Sequence, residues 1–325
     1  GQPAGPATAV VSGWTDINNF PAILDLDGSR VVAFSGLHST DTTDPYNGYE
    51  YAASSPDGAS WTLGKGALSG GNGAYGSYGS DVANAGGTPI TVYTQNSGPL
   101  SFHVGEYPTV PQAPVTDTTL GTAGDTAYNA GVGYDKNSGE TEAVWATSTG
   151  VTEQMISPAV GTPEQAPKSA TNFKGKSQSL AFLEQRMQVA SPPDGGAFVG
   201  YPVGYPTAKK VALWQLGSGH VLVTNSGGNA AVVDAAPGNG ATLWLIWWDK
   251  GSNALGLVHS TADGIDIGRE CEVALPLKTN SVWDIEGQGV GKKVDLFIND
   301  SKTSSSTPQI YDQVVGCPKP HKHHG

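Results

Sequence analysis

A hairpin pattern recurs six times along the 325-residue chain, about every 50 residues. Each copy is a strand-like stretch that reaches a Gly-containing polar turn and continues into a stretch rich in β-branched and aromatic residues. The copies are residues 22–34, 81–93, 130–145, 188–201, 231–247 and 285–298, with turn markers at Gly28, Gly86, Gly139, Gly195, Gly238 and Gly289. An all-strand repeat of this length is typical of a sheet repeated around an axis. The pattern therefore predicts an all-β fold, a six-bladed β-propeller.

A third strand-like segment follows each hairpin, which predicts four-stranded antiparallel blades. These segments are residues 49–55, 100–106, 151–157, 210–216, 255–261 and 308–315. Little chain remains after the sixth, so we expect the alternating N-terminal segment 7–14 to supply the last strand and close the ring, which leaves no long edge exposed. The expected domain is residues 1–317, followed by a disordered His-containing tail, 318–325.

The composition excludes several classes of protein. Charged residues make up only 14% of the chain, the net charge is −12 and the lysines are scattered. Nucleic acid is therefore not an expected partner, because phosphate binding needs a basic stripe. No stretch approaches the roughly twenty apolar residues of a membrane span. We expect a secreted monomer whose signal peptide, if any, has been removed.

Two cysteines, Cys271 and Cys317, have no C-x-x-C pattern and no neighbouring histidine. In a Thr/Ser/Gly-rich and lysine-poor chain, this favours a structural disulfide and an extracellular location. Two buried free thiols are the alternative.

A short Asp-Gly motif occurs at equivalent places in the first and fifth predicted blades, as SPDGASW (55–61) and TADGIDI (261–267). Its Asp should accept backbone N–H groups, its Gly should supply a positive φ, and its last residue should pack the turn onto the sheet. The residues with this structural role are Ser55, Asp57, Gly58, Trp61, Thr261, Asp263 and Gly264. Both segments resemble the Asp-box, S/T-x-D-x-G-x-x-W, with the Gly one position early. The chain is thus similar to the Asp-box (BNR-repeat) propellers, whose best-known members are sialidases and related glycoside hydrolases.

The arginines bear on the sialidase resemblance, since sialidases hold a substrate carboxylate with three arginines on the upper face. This chain contains only Arg30, Arg186 and Arg269. We call the rim at which the first strands begin the upper rim. Arg30 follows the turn after the first strand of the first blade, and Arg269 follows the turn after the third strand of the fifth blade, and both turns belong to the opposite, lower rim. Only Arg186 is expected near the upper centre. The F-R-I-P motif is absent as well. We therefore expect a sialidase-like propeller that is not a true sialidase.

The residues at the start of each blade's first strand should surround the axis at the upper rim. Their carboxylates, amides and aromatic rings suit a hydroxyl-rich ligand. Glycoside hydrolysis needs two carboxyls that flank the scissile bond, for which the candidates are Asp81, Glu184 and Asp284. The expected substrate-binding residues are Asn19, Tyr78, Asp125, Tyr128, Asn129, Arg186, Asn229 and Trp283, with His38 and Tyr46 from the long loop 37–48. The alternative for each is that it caps a strand and satisfies backbone groups between blades.

These features predict a secreted, carbohydrate-directed propeller, specifically a glycoside hydrolase that acts on a non-sialic-acid glycan such as a cell-surface polysaccharide. The alternative is a non-catalytic propeller that binds a glycan or protein partner at the cell surface. No cofactor is expected, although oxygen ligands in the loop 37–48 leave a structural Ca²⁺ open. The sugar, its linkage and the stereochemical outcome are also left open.

Overall fold

The computed structural model describes residues 9–17, 22–26, 28–38, 49–64, 80–95, 101–106, 118–121, 128–147, 150–166, 187–203, 209–225, 228–260, 268–275, 281–301 and 309–318. Within these ranges the chain forms 24 strands in six antiparallel sheets. None of these residues belongs to a helix long and apolar enough to cross a membrane. The all-β prediction is confirmed.

The first three sheets follow one another along the chain. Sheet 1 contains β1 (Trp14–Ile17), β2 (Ala22–Leu26), β3 (Ser29–His38), β4 (Tyr49–Ser55) and β5 (Thr62–Leu63). Sheet 2 contains β6 (Ser80–Ala85), β7 (Thr88–Gln95), β8 (Ser101–Glu106) and β9 (Thr118–Leu120). Sheet 3 contains β10 (Tyr128–Asp135), β11 (Glu140–Thr147), β12 (Gly150–Ser157) and β13 (Glu164–Gln165).

The other three sheets continue the same pattern. Sheet 4 contains β14 (Val189–Ala190), β15 (Phe198–Val203), β16 (Lys210–Gln215) and β17 (Val221–Val223). Sheet 5 contains β18 (Ala230–Pro237), β19 (Leu243–Asp249), β20 (Ala254–His259) and β21 (Cys271–Ala274). Sheet 6 contains β22 (Ser281–Val290), β23 (Lys293–Ser301) and β24 (Gln309–Val315).

All six predicted hairpins are present as antiparallel pairs, and each is followed by its third strand. Four of the six turn markers have the positive φ that favours glycine, for example 85° at Gly28. Gly238 lies in its predicted turn without a positive φ, whereas the last marker, Gly289, was wrong. The turn after β18 places Gly240 at φ 64°, and the turn after β22 places Gly291 at φ 61°, because β22 continues through Gly289 to Val290.

The predicted count of six four-stranded blades is also wrong. Five sheets have four or more strands, whereas sheet 6 has three within the described residues. The N-terminal segment does not supply a strand to sheet 6 where it is described, since β1 pairs with β3 in sheet 1. The reason is local packing. Val10, Val11 and Trp14 cover an apolar face of sheet 1, where the Trp14 ring lies 5.3 Å from Phe34 and 4.6 Å from Tyr51 between centroids.

Neighbouring sheets pack face to face through apolar side chains. Val144 of sheet 3 belongs to one core with Val199 and Trp214 of sheet 4. The opposite face of sheet 4 presents Phe198 to a second core that includes Leu245 of sheet 5. A third core joins Trp244, Leu257, Ile285 and Leu296 between sheets 5 and 6. Inner sheets therefore have two apolar faces, and each of them needs a neighbour on both sides.

Glycine permits the closest approach between first strands. A Cβ atom at Gly131 in β10 would collide with the backbone carbonyl of Met187, which precedes β14. A Cβ atom at Gly289 in β22 would lie 2.6 Å from the Cα of Gly238, after β18. Side chains at either position would push neighbouring sheets apart near the axis.

The first Asp-Gly motif forms the predicted turn between β4 and β5. Asp57 Oδ1 accepts the N–H groups of Ala59 and Ser60, each at 2.8 Å, and the Ser55 hydroxyl at 3.0 Å. Gly58 has φ 73°, and Trp61 packs on the apolar face of sheet 1. The N–H groups of Ser60 and Ala59 and the Ser55 hydroxyl lower the pKa of Asp57 to about 2. The second copy, with Thr261, Asp263 and Gly264, lies outside the described residues, so the repeat stays a prediction.

The disulfide between Cys271 and Cys317 is present, and the described residues include no free cysteine. The Cα atoms of the pair are 5.6 Å apart. Cys271 begins β21, the outer strand of sheet 5, and Cys317 follows β24. The bond therefore ties the last sheet to its neighbour, as predicted.

We expect Asp57→Ala to lower the melting temperature more than Asp25→Ala. Among the described residues, Asp25 accepts one backbone N–H, from Gly28, whereas Asp57 accepts two in its turn. Since folding lowers the pKa of Asp57, its contribution is present above about pH 4 and is lost as the pH falls toward 2. Thermal unfolding of both variants between pH 2 and 7 checks this. Equal losses at pH 7 would contradict it.

Replacing both cysteines with serine should lower the unfolding free energy by about 2–4 kcal/mol, because the open chain gains conformational entropy when unfolded. Urea unfolding under oxidising conditions measures the change. A reductant should destabilise the parent protein and leave the double variant unaffected. Superimposable curves for parent and variant would show that the bond contributes nothing.

Candidate functional site

The first strands of successive sheets lie next to one another. Strand β6 contacts β2 and β10, β14 contacts β10 and β18, and β18 contacts β22. The upper ends of these strands carry the predicted site residues that the structure describes. Asp81 is the second residue of β6, Asn229 precedes β18, and Asp284 lies in β22. All three therefore lie at or near the start of a first strand.

Asp81 connects two sheets. Its Oδ1 accepts the N–H of Val82 and its Oδ2 accepts the N–H of Val132 in sheet 3, both at 2.9 Å, and the side chain is buried. Such contacts match the structural alternative stated for these residues. A catalytic role for Asp81 stays a prediction.

Asp284 and Asn229 have different surroundings. Asp284 is half-buried and its Oδ1 accepts the N–H of Ile285 at 3.0 Å. Asn229 is exposed, and its backbone N–H donates to Asp249 Oδ1 at 2.9 Å. Asp249 also accepts the Gly251 N–H at 2.7 Å and the Ser252 hydroxyl at 2.9 Å. Burial raises the pKa of Asp249, but these hydrogen bonds outweigh that effect and lower it.

The other predicted site residues fall into two groups. Those outside the described residues are Asn19, Tyr46, Tyr78, Asp125, Glu184 and Arg186. The backbones of His38, Tyr128, Asn129 and Trp283 lie on β3, β10 and β22. The predicted arrangement of these residues around a glycan therefore stays a prediction.

Two of the three arginines, Arg30 and Arg269, donate to backbone carbonyl groups. Arg30 Nη1 donates to the Asp57 carbonyl at 3.2 Å, in the turn that follows β4. Arg269 Nη1 donates to the Pro318 carbonyl at 3.1 Å, beside the disulfide. With Arg186 outside the described ranges, the exclusion of a three-arginine clamp stays a prediction.

A cavity of about 260 Å³ lies at the lower rim between sheets 3 and 4. Glu142 on β11 and Glu153 on β12 line it, together with Glu140, Glu164 and Gly217. Glu142 pairs with Met155, and Glu153 pairs with Val144, so the two carboxyls are diagonal neighbours on one face of sheet 3. Only 5% of Glu142 and 3% of Glu153 is exposed.

The two glutamates have raised pKa values. Burial, followed by the charges of Glu153 and Glu140, raises the pKa of Glu142 to about 8. Burial also raises the pKa of Glu153, to about 7, although the Gly217 N–H donates to its Oε2 at 2.9 Å and opposes the shift. Glu142 is thus largely protonated at neutral pH, whereas Glu153 is divided between both forms.

Sequence reasoning missed this cavity because it examined only strand starts at the upper rim. A signal was nevertheless present. Val144 and Ala146, on the same face of β11 as Glu142, are core residues. A glutamate two positions earlier therefore lies at a core position, which is unusual for a charged side chain.

A second lower-rim cavity, of about 460 Å³, lies among the turns of sheets 3, 4 and 5 and is lined in part by Asp135 and Asp194. Asp135 Oδ1 accepts the N–H groups of Asn137 at 2.8 Å and Gly196 at 2.6 Å, so this carboxylate holds two turns together. Across the described part of the chain, no three His, Cys, Asp or Glu side chains are grouped to hold a metal ion.

We expect the unfolding free energy to fall as the pH rises from about 4.5 to about 8, because folded Glu142 and Glu153 retain protons that the unfolded chain releases. Each group adds a slope of at most about 1.4 kcal/mol per pH unit, reduced by solvent screening. Glu142→Gln should remove its share of the slope. Glu272→Gln, an exposed change on β21, is the control. Parallel pH profiles for parent and Glu142→Gln would contradict the expectation.

Comparison with known proteins shows a shared fold. No family model and no curated protein match the chain. A Dyadobacter fermentans protein of unknown function aligns with a TM-score of 0.57 and 14% identity, covering 94% of this chain and 96% of that one. A Hadza microbial sialidase aligns with a TM-score of 0.54 and 11% identity over 91% of this chain and 66% of its own. A polysaccharide lyase aligns with a TM-score of 0.50 and 11% identity over 93% of this chain and 78% of its own. The chain thus shares the overall fold of these proteins, an all-β propeller of antiparallel sheets.

Proposed function

We propose that this protein is a secreted, carbohydrate-directed propeller that acts at its upper rim on a glycan other than sialic acid. The observation that carries the proposal is the placement of Asp81, Asn229 and Asp284 at the upper ends of first strands from three sheets. Carboxylate and amide groups near one axis match the hydroxyl groups of sugars. The sialidase and the polysaccharide lyase that share the fold add support. A disulfide fits an extracellular location.

Hydrolysis is the finer part of this proposal. It requires one carboxyl that donates a proton and a second that acts as base or nucleophile. We assign these roles to Glu184 and Asp284, with Asp81 as the third candidate. Asp81 is the weakest of the three, because each of its oxygens already accepts a backbone N–H.

Glycan binding without hydrolysis is the second candidate function, and the contacts of Asp81 favour it. If Asp81 only joins sheets 2 and 3, the upper rim has one catalytic carboxyl fewer. The rim would then act through its amide and aromatic groups. A protein partner at the cell surface remains part of this alternative.

Incubation with a panel of plant, microbial and animal polysaccharides tests both functions. We expect release of reducing sugar from at least one glycan, and loss of about 100-fold or more in kcat for Glu184→Gln and Asp284→Asn. Asn229→Ala should weaken glycan binding with less effect on kcat. Asp81→Asn should lower the melting temperature, since the amide has one acceptor oxygen for the two backbone N–H groups of Val82 and Val132.

The outcomes separate the candidates. Retention of a glycan without product would favour the binding function and refute hydrolysis. Release of sialic acid from sialyllactose would refute the non-sialic-acid substrate. If no glycan is retained or cleaved by the folded protein, the carbohydrate proposal fails.

A further inference from the structure

The cavity that contains Glu142 and Glu153 opens at the lower rim, opposite the upper rim of the proposed glycan site. Its walls are the turn after β10, the connection from β12 to β13, and the turn between β16 and β17. One wall is held in place by Gln154, whose Nε2 donates to the Gly161 carbonyl and whose Oε1 accepts the Gly121 N–H, both at 2.8 Å. These two hydrogen bonds of Gln154 therefore fix one wall of the cavity.

The Glu142 carboxyl faces this cavity without a hydrogen-bond partner among the described residues, although 95% of the residue is buried. Its Oε1 lies 3.6 Å from the position that a Cβ atom on Gly217 would occupy. Within the described part of the chain, Glu153 accepts one hydrogen bond, from the Gly217 N–H. Buried carboxyl groups with so few partners are costly in free energy.

Among the described residues, the lining of the cavity includes four carboxyls, those of Glu140, Glu142, Glu153 and Glu164, and no Lys, Arg or His. The charge of Glu153 also contributes, after burial, to a raised pKa of the Tyr201 hydroxyl on sheet 4. A cation with hydrogen-bond donors would satisfy the two buried glutamates.

We propose that this cavity binds a small molecule through a primary ammonium group, as in an amino sugar, held between Glu142 and Glu153. An ammonium carries three N–H donors, enough for both carboxyls and one further oxygen. The charged hydrogen bonds would supply the partner that Glu142 lacks. Ionisation of both glutamates on binding would release protons.

An ammonium fits this cavity better than a metal ion. Ca²⁺ needs six or more oxygen ligands at 2.3–2.6 Å, and no group of three carboxylates within the described ranges converges in that way. The volume of about 260 Å³ lies below the usual range for drug-sized ligands, so a ligand of monosaccharide size is expected. Gly161 and Gly217 have no side chains that would fill the cavity, and the Thr162 hydroxyl could bind a polar ligand.

Isothermal titration of the whole protein at pH 7.5 with glucosamine, glucose and n-butylamine tests the proposal. Glucosamine and n-butylamine should bind saturably, whereas glucose, which has no amine, should not. Titration of n-butylamine in buffers of different ionisation enthalpy should show proton release. Glu142→Gln and Glu153→Gln should each weaken binding at least about tenfold. Glu272→Gln on sheet 5 is the matched control and should leave the affinity unchanged.

Several results would overturn the site. They are equal binding of glucose, saturable binding of Ca²⁺ in place of the amines, absence of amine binding by the folded parent, and unchanged affinity in both glutamate variants. Since Glu142→Gln removes a buried acid and should fold, its melting temperature provides the folding check. Failure of this site leaves glycan turnover at the upper rim unaffected, because the two lie on opposite rims.

Discussion

Packing between neighbouring sheets is the constraint on which the rest of the structure depends. Each inner sheet has apolar side chains on both faces, as sheet 4 shows with Val199 on one side and Phe198 on the other. A single sheet of this kind would expose a whole apolar face to water, so the sheets stabilise one another. Near the axis the approach is so close that only glycine fits at Gly131 and Gly289.

This packing also explains the properties of the lower-rim cavity. The face of sheet 3 that presents Val144 to sheet 4 also presents Glu153, which lies opposite Val144 on the next strand, and Glu142, which lies two residues nearer the lower rim. The apolar contact that joins the two sheets removes water from the glutamates. Burial is accordingly the main cause of their raised pKa values, and the mutual repulsion of the carboxylates adds to it. The upper-rim carboxylate Asp249 differs, since the N–H and hydroxyl groups that it accepts lower its pKa.

Much of the fold could be predicted because strand pairing within a hairpin is local. Period-two alternation and turn glycines located all six hairpins, and the third strand β4 was predicted with its exact bounds, Tyr49–Ser55. The position of the N-terminal segment could not be predicted in the same way. Its alternating pattern is compatible with the edge of any sheet. The packing of Trp14 on Phe34 and Tyr51 places this segment on sheet 1. The candidate site was predicted only in part. The starts of the strands indicate which residues lie at one rim, but they do not indicate the hydrogen-bond partners of those residues.

The sequence by itself determined the six hairpins with their third strands, the Asp57 turn and the pairing of the two cysteines. These features depend on nearby residues or on the few residues able to form the bond. Only the tertiary structure decided which carboxylates are bonded and which are buried without partners. That outcome depends on the neighbouring sheet. Gly217 of sheet 4 donates to Glu153, 64 residues away in the sequence, and Val132 of sheet 3 donates to Asp81, 51 residues away. The pKa values of Glu142 and Glu153 are therefore set by residues distant in the sequence and cannot be predicted from residue type alone.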